Sequence, residues 1–227
     1  MSRRLTEHRK LASELSGGTS SDCIKSMVLS IVQHHQLSGA LLDFGAGKGE
    51  LLSQLRREMQ WKDLAGCDLM TRPTELPEDM DWQQQDLNEN VQFARLFDVV
   101  ICSEIIEHLE NPRLTFRCLF QLLKPGGALV LTMPNQECIR SYAGLIFGGH
   151  FTHFLGNSYP AHITALLRMD LIRICSETGF SSPQFYFTNQ GAIPKLTSLS
   201  WQTISFGLLR GRLFSDNLGM LARKPLN

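Results

Sequence analysis

The sequence predicts an α/β protein built on a doubly wound, largely parallel sheet. Three observations carry that expectation. Strand-length apolar runs alternate with helix-competent segments from residue 39 onward. One run, Leu41-Leu42-Asp43-Phe44, leads into glycines at every second position (Gly45, Gly47 and Gly49) and then into the apolar, helix-competent Leu51-Leu52. Another, Phe97-Asp98-Val99-Val100-Ile101-Cys102, is nearly all apolar, as expected of a parallel strand covered on both faces.

The elements follow in order. Residues 1–15 are charged and read as a loose helix, broken by Gly17 and Gly18, so that 1–21 forms an N-terminal extension. Ser20, Ser21 and Asp22 are capping candidates for a helix over 22–36 with Ile24, Val28, Ile31 and Val32 on one face. Strands are expected at 40–44, 64–68, 97–102, 127–133, 183–188 and 217–223, with a short third strand ending near Asp86. Asn111 caps a helix that Pro112 opens, because the missing N–H of a proline costs nothing at the first helical position. Lys124-Pro125-Gly126-Gly127 stops that helix, and a further helix runs from Arg168 to Thr178. Residues 134–167 and 190–214 fit the alternation poorly. They read as insertions on the ligand side, since loops beyond the carboxyl ends of strands form the crevice of such sheets. The apolar positions of the second insertion (Leu196, Leu199, Trp201, Ile204, Phe206, Leu208 and Leu209) read as core packing or a dimer contact, with a lid or a membrane-surface contact as the alternative. Residues 22–227 thus make one domain.

Composition narrows the function classes. Lys+Arg and Asp+Glu are equal at 22 each, so no global basic field advertises nucleic acid or an anionic membrane. The six cysteines are scattered without a CxxC pair, which reads as a reducing compartment. The N-terminus lacks an apolar core of the signal-peptide kind, and no apolar run approaches the ~20 residues of a membrane span. A cytoplasmic location is the expectation.

The glycine turn is where a nucleotide-like ligand can rest against bare backbone at a helix N-terminus. A dinucleotide fingerprint would need glycine at position 50, where Glu50 stands, so the ligand is expected to be an adenosine compound other than a nicotinamide dinucleotide. Asp43 closes the first strand and can brace the turn or face a cationic ligand. Asp68 lies 19 residues beyond Gly49, a spacing that suits a grip on ribose hydroxyls. Asp86 can accept from an exocyclic amine while Leu87 packs against a purine. Beyond the fourth strand, Ser103-Glu104-Ile105-Ile106-Glu107-His108-Leu109 would, if helical, place Glu104, Glu107 and His108 on one face, able to bind a divalent ion or supply a general base. His150, His153 and His162 lie in the first insertion, with His162 the best placed to join that site. Asn135 either orients a substrate or punctuates a loop.

Taken together, Leu42-Asp43-Phe44-Gly45-Ala46-Gly47-Lys48-Gly49, Asp68, Asp86-Leu87, the block from Phe97 to Leu109, and Leu123-Lys124-Pro125-Gly126-Gly127-Ala128-Leu129 resemble the class I S-adenosylmethionine-dependent methyltransferases over residues 22–225. The resemblance implies a Rossmann-like, seven-stranded sheet whose last strand, near Gly219–Lys224, is antiparallel. It implies S-adenosylmethionine as cofactor, held by Asp43, Phe44, Gly45, Ala46, Gly47, Gly49, Asp68, Leu69, Asp86, Leu87 and Ser103. The Glu104-xx-Glu107-His108 block is similar to that of ubiquinone-type small-molecule O-methyltransferases, and of small-RNA 3′-terminal 2′-O-methyltransferases in which such a block and a downstream histidine bind a divalent metal. By that likeness Glu104, Glu107, His108 and His162 form the metal set, and His108 or His162 with Glu107 the catalytic set. The neutral net charge and the lack of an aromatic-basic platform favour a small-molecule, lipid or glycan acceptor over nucleic acid. The alternatives are a metal-dependent RNA 2′-O-methyltransferase, a catalytically silent S-adenosylmethionine-binding partner subunit, and a nicotinamide oxidoreductase, the last disfavoured by Glu50.

Overall fold

The structure, a computed structural model, describes residues 3–156 and 158–226. Residues 1, 2, 157 and 227, which fall within the expected N-terminal extension, first insertion and domain end, lie outside the described residues. The helices are α1 (Arg3–Ser16), α2 (Asp22–His34), α3 (Glu50–Met59), α4 (Pro112–Leu122), α5 (Ile139–Gly148), α6 (Arg168–Thr178) and the single turn α7 (Trp201–Ile204). The strands are β1 (Leu41–Phe44), β2 (Leu64–Asp68), β3 (Asp81–Gln84), β4 (Phe97–Ser103), β5 (Leu123–Pro134), β6 (Gln184–Phe187), β7 (Ala192–Ile193), β8 (Leu196–Ser200) and β9 (Asn217–Arg223).

Seven strands form one sheet in the order β3-β2-β1-β4-β5-β9-β6. Pairing is parallel from β3 to β5, and β9 runs antiparallel between β5 and β6. The expected α/β class, seven strands and antiparallel last strand are all present. The pleat sends alternate residues to opposite faces, and each face has its own core. Leu42, Val100 and Leu129 pack with Phe116 and Leu119 of α4 and with Ile174 of α6. Leu41, Val99 and Val130 pack with Val28 and Ile31 of α2 and with Leu52 and Leu55 of α3. Burial on both faces is why these strands read as continuous apolar runs.

Strand β1 lies between β2 and β4, so the chain leaves it in one direction and later returns on the other side. That reversal opens a crevice beyond the carboxyl ends of β1 and β4. Both insertions stand at this end of the sheet, one after β5 and one between β6 and β9. Among the described residues no helix is long and apolar enough to cross a membrane.

Three expectations change. The segment around Glu104–His108 is not α-helical: Glu104 has a left-handed backbone (φ 53°) and Ile106–His108 form a single 3-10 turn. Strand β5 begins at Leu123, four residues early, because Leu123 already pairs with Phe97. The second insertion does not pack into the core. It folds into the β7–β8 hairpin and α7, and leaves Phe206 96% and Leu208 85% exposed.

Candidate active site

The glycine turn joins β1 to α3. Gly45, Gly47 and Gly49 all have positive φ (91°, 51° and 73°), where a side chain is strained. Close approach adds a second demand: a Cβ on Gly47 would overlap the Gly18 carbonyl, and one on Gly45 would overlap Ile105. The Gly45 and Ala46 amides donate to Cys67 O at 2.8 and 3.1 Å, which ties the turn to β2. The Gly47 amide donates to Asp68 Oδ2 at 2.8 Å, while Asp68 Oδ1 accepts from Met70 N at 2.9 Å. The Asp68 carboxylate is therefore clamped in one orientation at the end of β2.

This turn floors a cavity of about 690 Å³ that also holds the acidic block after β4. Asp43, Gly45, Ala46 and Gly47 line it from β1 and the turn, Asp68 and Leu69 from β2, Asp86 and Leu87 from the loop after β3, and Ser103 from β4. Phe44 and Gly49, expected with them, do not line it. Phe44 follows Asp43 on the pleat and points into the core, and Gly49 caps α3 against Leu76. Asp43 is buried, and desolvation, with the charge of Asp68 behind it, pushes its carboxyl up to about 7.

At the other end of the cavity, backbone bonds explain why His162 meets a segment more than fifty residues upstream. Ile163 N and Thr164 N both donate to Glu107 O at 2.9 Å, and the Thr164 hydroxyl donates to Leu109 O at 2.6 Å. The His108 and His162 rings then meet edge to face with centroids 4.8 Å apart. His108 Nδ1 sits 2.8 Å from Ala161 O, and His162 Nδ1 2.7 Å from His153 O. A carbonyl can only accept, so each ring carries its proton on Nδ1 and keeps an Nε2 lone pair.

Glu107 lies beside them, 2% exposed, with both carboxylate oxygens buried and partnerless in the structure. Desolvation, reinforced by the charge of Glu104, pushes its carboxyl well above the ordinary range. Ligand atoms of Glu107, His108 and His162 lie within 4.8 Å of one another. Glu104 is not part of that group: its Oε2 accepts from Asn217 Nδ2 at 3.1 Å, its Oε1 is buried without a partner, and burial raises it to about 7.

One further candidate, Asn135, stands apart from this cavity. Asn135 does not line it: it is fully buried, donates to Arg212 O and Ser215 O at 2.7 Å each, and accepts from Glu137 N. Sequence reasoning missed the N-terminal contribution. Ala12, Ser13 and Ser16 of α1 line the cavity, with Arg9 at its rim and Gly18 against the glycine turn. The Gly17-Gly18 pair, read as a helix stop, was the available signal.

The chain matches the family model described as a methyltransferase domain over residues 22–182. It belongs to the class I S-adenosylmethionine-dependent methyltransferases. Within that family it is similar to ubiquinone biosynthesis O-methyltransferases. It is 39% identical to the mitochondrial protein of Rattus norvegicus over 64 residues, 28% of this chain and 18% of that one. With the protein of Erwinia tasmaniensis it shares 29% over 120 residues, 49% of this chain and 48% of the other. The match thus spans about half or less of these curated relatives. The methyltransferase fold is shared with solved structures of low identity. The plantazolicin methyltransferase BpumL, solved with S-adenosylhomocysteine, superposes with a TM-score of 0.64 at 14% identity, covering 98% of both chains. The N-methyltransferase NodS of Bradyrhizobium japonicum does so with 0.57 at 18%, covering 88% of this chain and 85% of that one.

Proposed function

We propose that this methyltransferase moves the methyl group of S-adenosylmethionine to an oxygen of a small-molecule acceptor. The carrying observation is the buried, partnerless Glu107 carboxylate beside two Nε2 lone pairs, in the same cavity as the glycine turn. At the donor end, Asp68 takes the ribose hydroxyls, Asp86 accepts from the adenine amine, Leu87 covers a purine face and Asp43 faces the cationic end of the donor. At the acceptor end, the residues fit a divalent ion. A buried carboxylate with no partner is costly, and imidazoles whose Nδ1–H is fixed by a carbonyl are oriented as metal ligands are. Glu107, His108 and His162 would hold the ion, which when bound lowers the pKa of an acceptor hydroxyl.

The sulfonium methyl is already activated, so the chain's work is positioning and proton removal. The acceptor oxygen forms its bond to the methyl carbon as the carbon–sulfur pair returns to sulfur, leaving S-adenosylhomocysteine. The clamped Asp68 and the glycine turn fix the donor; the 3-10 turn and the loop at His162 fix the acceptor opposite it. Without an ion, the acceptor's proton goes to Nε2 of His108 or His162, the ring being oriented by its carbonyl partner and the new charge facing Glu107. The similarity to ubiquinone biosynthesis O-methyltransferases supports an oxygen acceptor of small size.

The test is label transfer from S-adenosylmethionine to fractionated metabolite extract, with RNA as competing acceptor, after EDTA dialysis and after adding back Mg²⁺ or Zn²⁺. Glu107→Gln and His108→Ala are expected to lose about 10²-fold or more of turnover while still binding S-adenosylhomocysteine. Full turnover in both variants would refute the assignment. Turnover that survives EDTA yet fails in the variants would select the ion-free route.

A further inference from the structure

Helix α1 carries one cation into a ring of acids at the rim of the donor cavity. Arg9 Nη1 donates to Asp86 Oδ2 at 2.8 Å and to Glu89 Oε1 at 2.9 Å. Its Nε and Nη2 form a fork on Glu110, at 3.0 Å to Oε1 and 2.9 Å to Oε2. The side chain of Arg9 is 10% exposed in this arrangement. A rigid guanidinium can serve three carboxylates at fixed angles; a lysine ammonium cannot reproduce the fork.

The consequence falls on Asp86. Its Oδ2 is held by Arg9 and its Oδ1 accepts from Asn88 N at 3.0 Å. The Asn88 side chain in turn accepts from Glu110 N at 2.9 Å, so the loop bearing Asp86 and the turn bearing Glu110 are cross-braced. Each carboxylate oxygen has two lone-pair sites, so one acceptor site per oxygen remains after these contacts. Without the guanidinium, Asp86, Glu89 and Glu110 would repel one another, and the half-buried Asp86 would gain by turning to water. Arg9 also fastens one end of a segment whose other end is held by the Gly18 carbonyl on Lys48 N at 2.9 Å. Between the two anchors, Ala12, Ser13 and Ser16 line the cavity.

We propose that Arg9 is a positioning residue for recognition of the donor's adenine: it holds the Asp86 carboxylate in the orientation that accepts from the exocyclic amine, and so sets the preference for an amino over an oxo group at that position. The proposal rests on the reading of Asp86 given above. A residue that merely fastened α1 would affect all adenosyl-like ligands equally, whereas a residue that aims Asp86 acts on the amine.

The experiment measures, by calorimetry on the full chain, the dissociation constants of S-adenosylhomocysteine and of S-inosylhomocysteine, in which an oxo group replaces the amine. The variants are Arg9→Ala, Arg9→Lys, Glu110→Gln and Asp86→Asn, each checked for folding by circular dichroism. Arg9→Ala is expected to weaken S-adenosylhomocysteine roughly tenfold, the worth of one charged hydrogen bond, with much less effect on the inosyl compound, so that discrimination collapses. Glu110→Gln, which loosens the fork and leaves Arg9 in place, should shift the ratio in the same direction by a smaller factor, and Arg9→Lys should restore it in part. Equal weakening of both ligands by Arg9→Ala, or no change in either, would overturn the proposal. An unchanged ratio in Asp86→Asn would instead overturn the reading of Asp86 on which the proposal stands. Should Arg9→Ala fail to fold, Glu110→Gln carries the test, and an unaltered ratio there overturns it.

Discussion

The carbonyl oxygen of Gly18 accepts from the amide of Lys48 at 2.9 Å, and the same carbonyl occupies the place where a Cβ on Gly47 would fall. The N-terminal segment and the glycine turn are thus in backbone contact, and the cavity over that turn is lined in part by chain that lies outside the stretch matched by the methyltransferase family model.

That contact separates two glycines that look alike in the sequence. Gly47→Ala places a methyl group against backbone at a left-handed φ of 51°, and neither can yield cheaply. The expected outcome is a loss of about 2–3 kcal/mol in urea unfolding and at least tenfold weaker S-adenosylhomocysteine binding. Gly49→Ala meets the Leu76 side chain and does not line the cavity, so it should cost stability with little loss of affinity. Equal affinity losses for the two would remove the special role of the Gly18–Gly47 contact.

Asp43 gives one part of the pH dependence of stability, beside the likewise raised Glu104 and Glu107. Its carboxyl is raised from 3.8 to about 7 by burial and then by Asp68, so the ligand-free folded protein holds a proton that the unfolded chain has released. Where the folded state binds more protons, stability falls as pH rises. This contribution is therefore fully present below about pH 4, declines through the window from about 4 to about 7, and is gone above it. A donor whose cationic end faces Asp43 favours the ionised form, so its binding releases a proton in that window and tightens toward neutrality. Asp43→Asn should reduce the stability slope, leaving the part due to Glu104 and Glu107, and should remove the proton release on binding. Urea unfolding and calorimetry across the window, in buffers of different ionisation enthalpy, test this; identical slopes in wild type and variant would count against it.

The parts legible in the sequence are those set by local pattern. Strands β2 and β9 have the bounds read from their apolar runs, because β2 is buried throughout and β9 from Leu218 to Ala222. Asp43 and Asp68 were found through the glycine turn, since a strand end beside such a turn leaves few places for a carboxylate to point. Arg9 was not legible: it is one cation in a charged stretch, and Asp86, Glu89 and Glu110 lie 77 to 101 residues away. In the Glu104–His108 block the shared face depended on a helix; in the observed 3-10 turn Glu107 and His108 meet His162 while Glu104 turns to Asn217, and the same spacing suits a helix and a tight turn alike. Nothing local distinguishes the two until the loop at His162 closes over it.

Asn135, for which the sequence leaves a substrate contact and loop punctuation both open, is a backbone clamp in the structure. Its side chain closes two backbone carbonyls where the second insertion meets β9, Arg212 O and Ser215 O, and one amide, Glu137 N, in a site with no exposure. Asn135→Ala strands all three groups, and a buried group left unpaired costs about 1–3 kcal/mol, so a loss of about 2–4 kcal/mol is expected once partial relaxation is allowed. Asn135→Asp should be worse, since it presents a carboxylate oxygen to two carbonyls that can only accept. Hydrogen exchange should accelerate across 190–216 while the glycine turn stays protected, because the turn is tied to β2 rather than to this insertion. Affinity for S-adenosylhomocysteine should hold, as Asn135 lies outside the donor cavity. If Asn135→Ala instead left stability intact and cut turnover, the side chain would be touching substrate, and the clamp would be the wrong account of it.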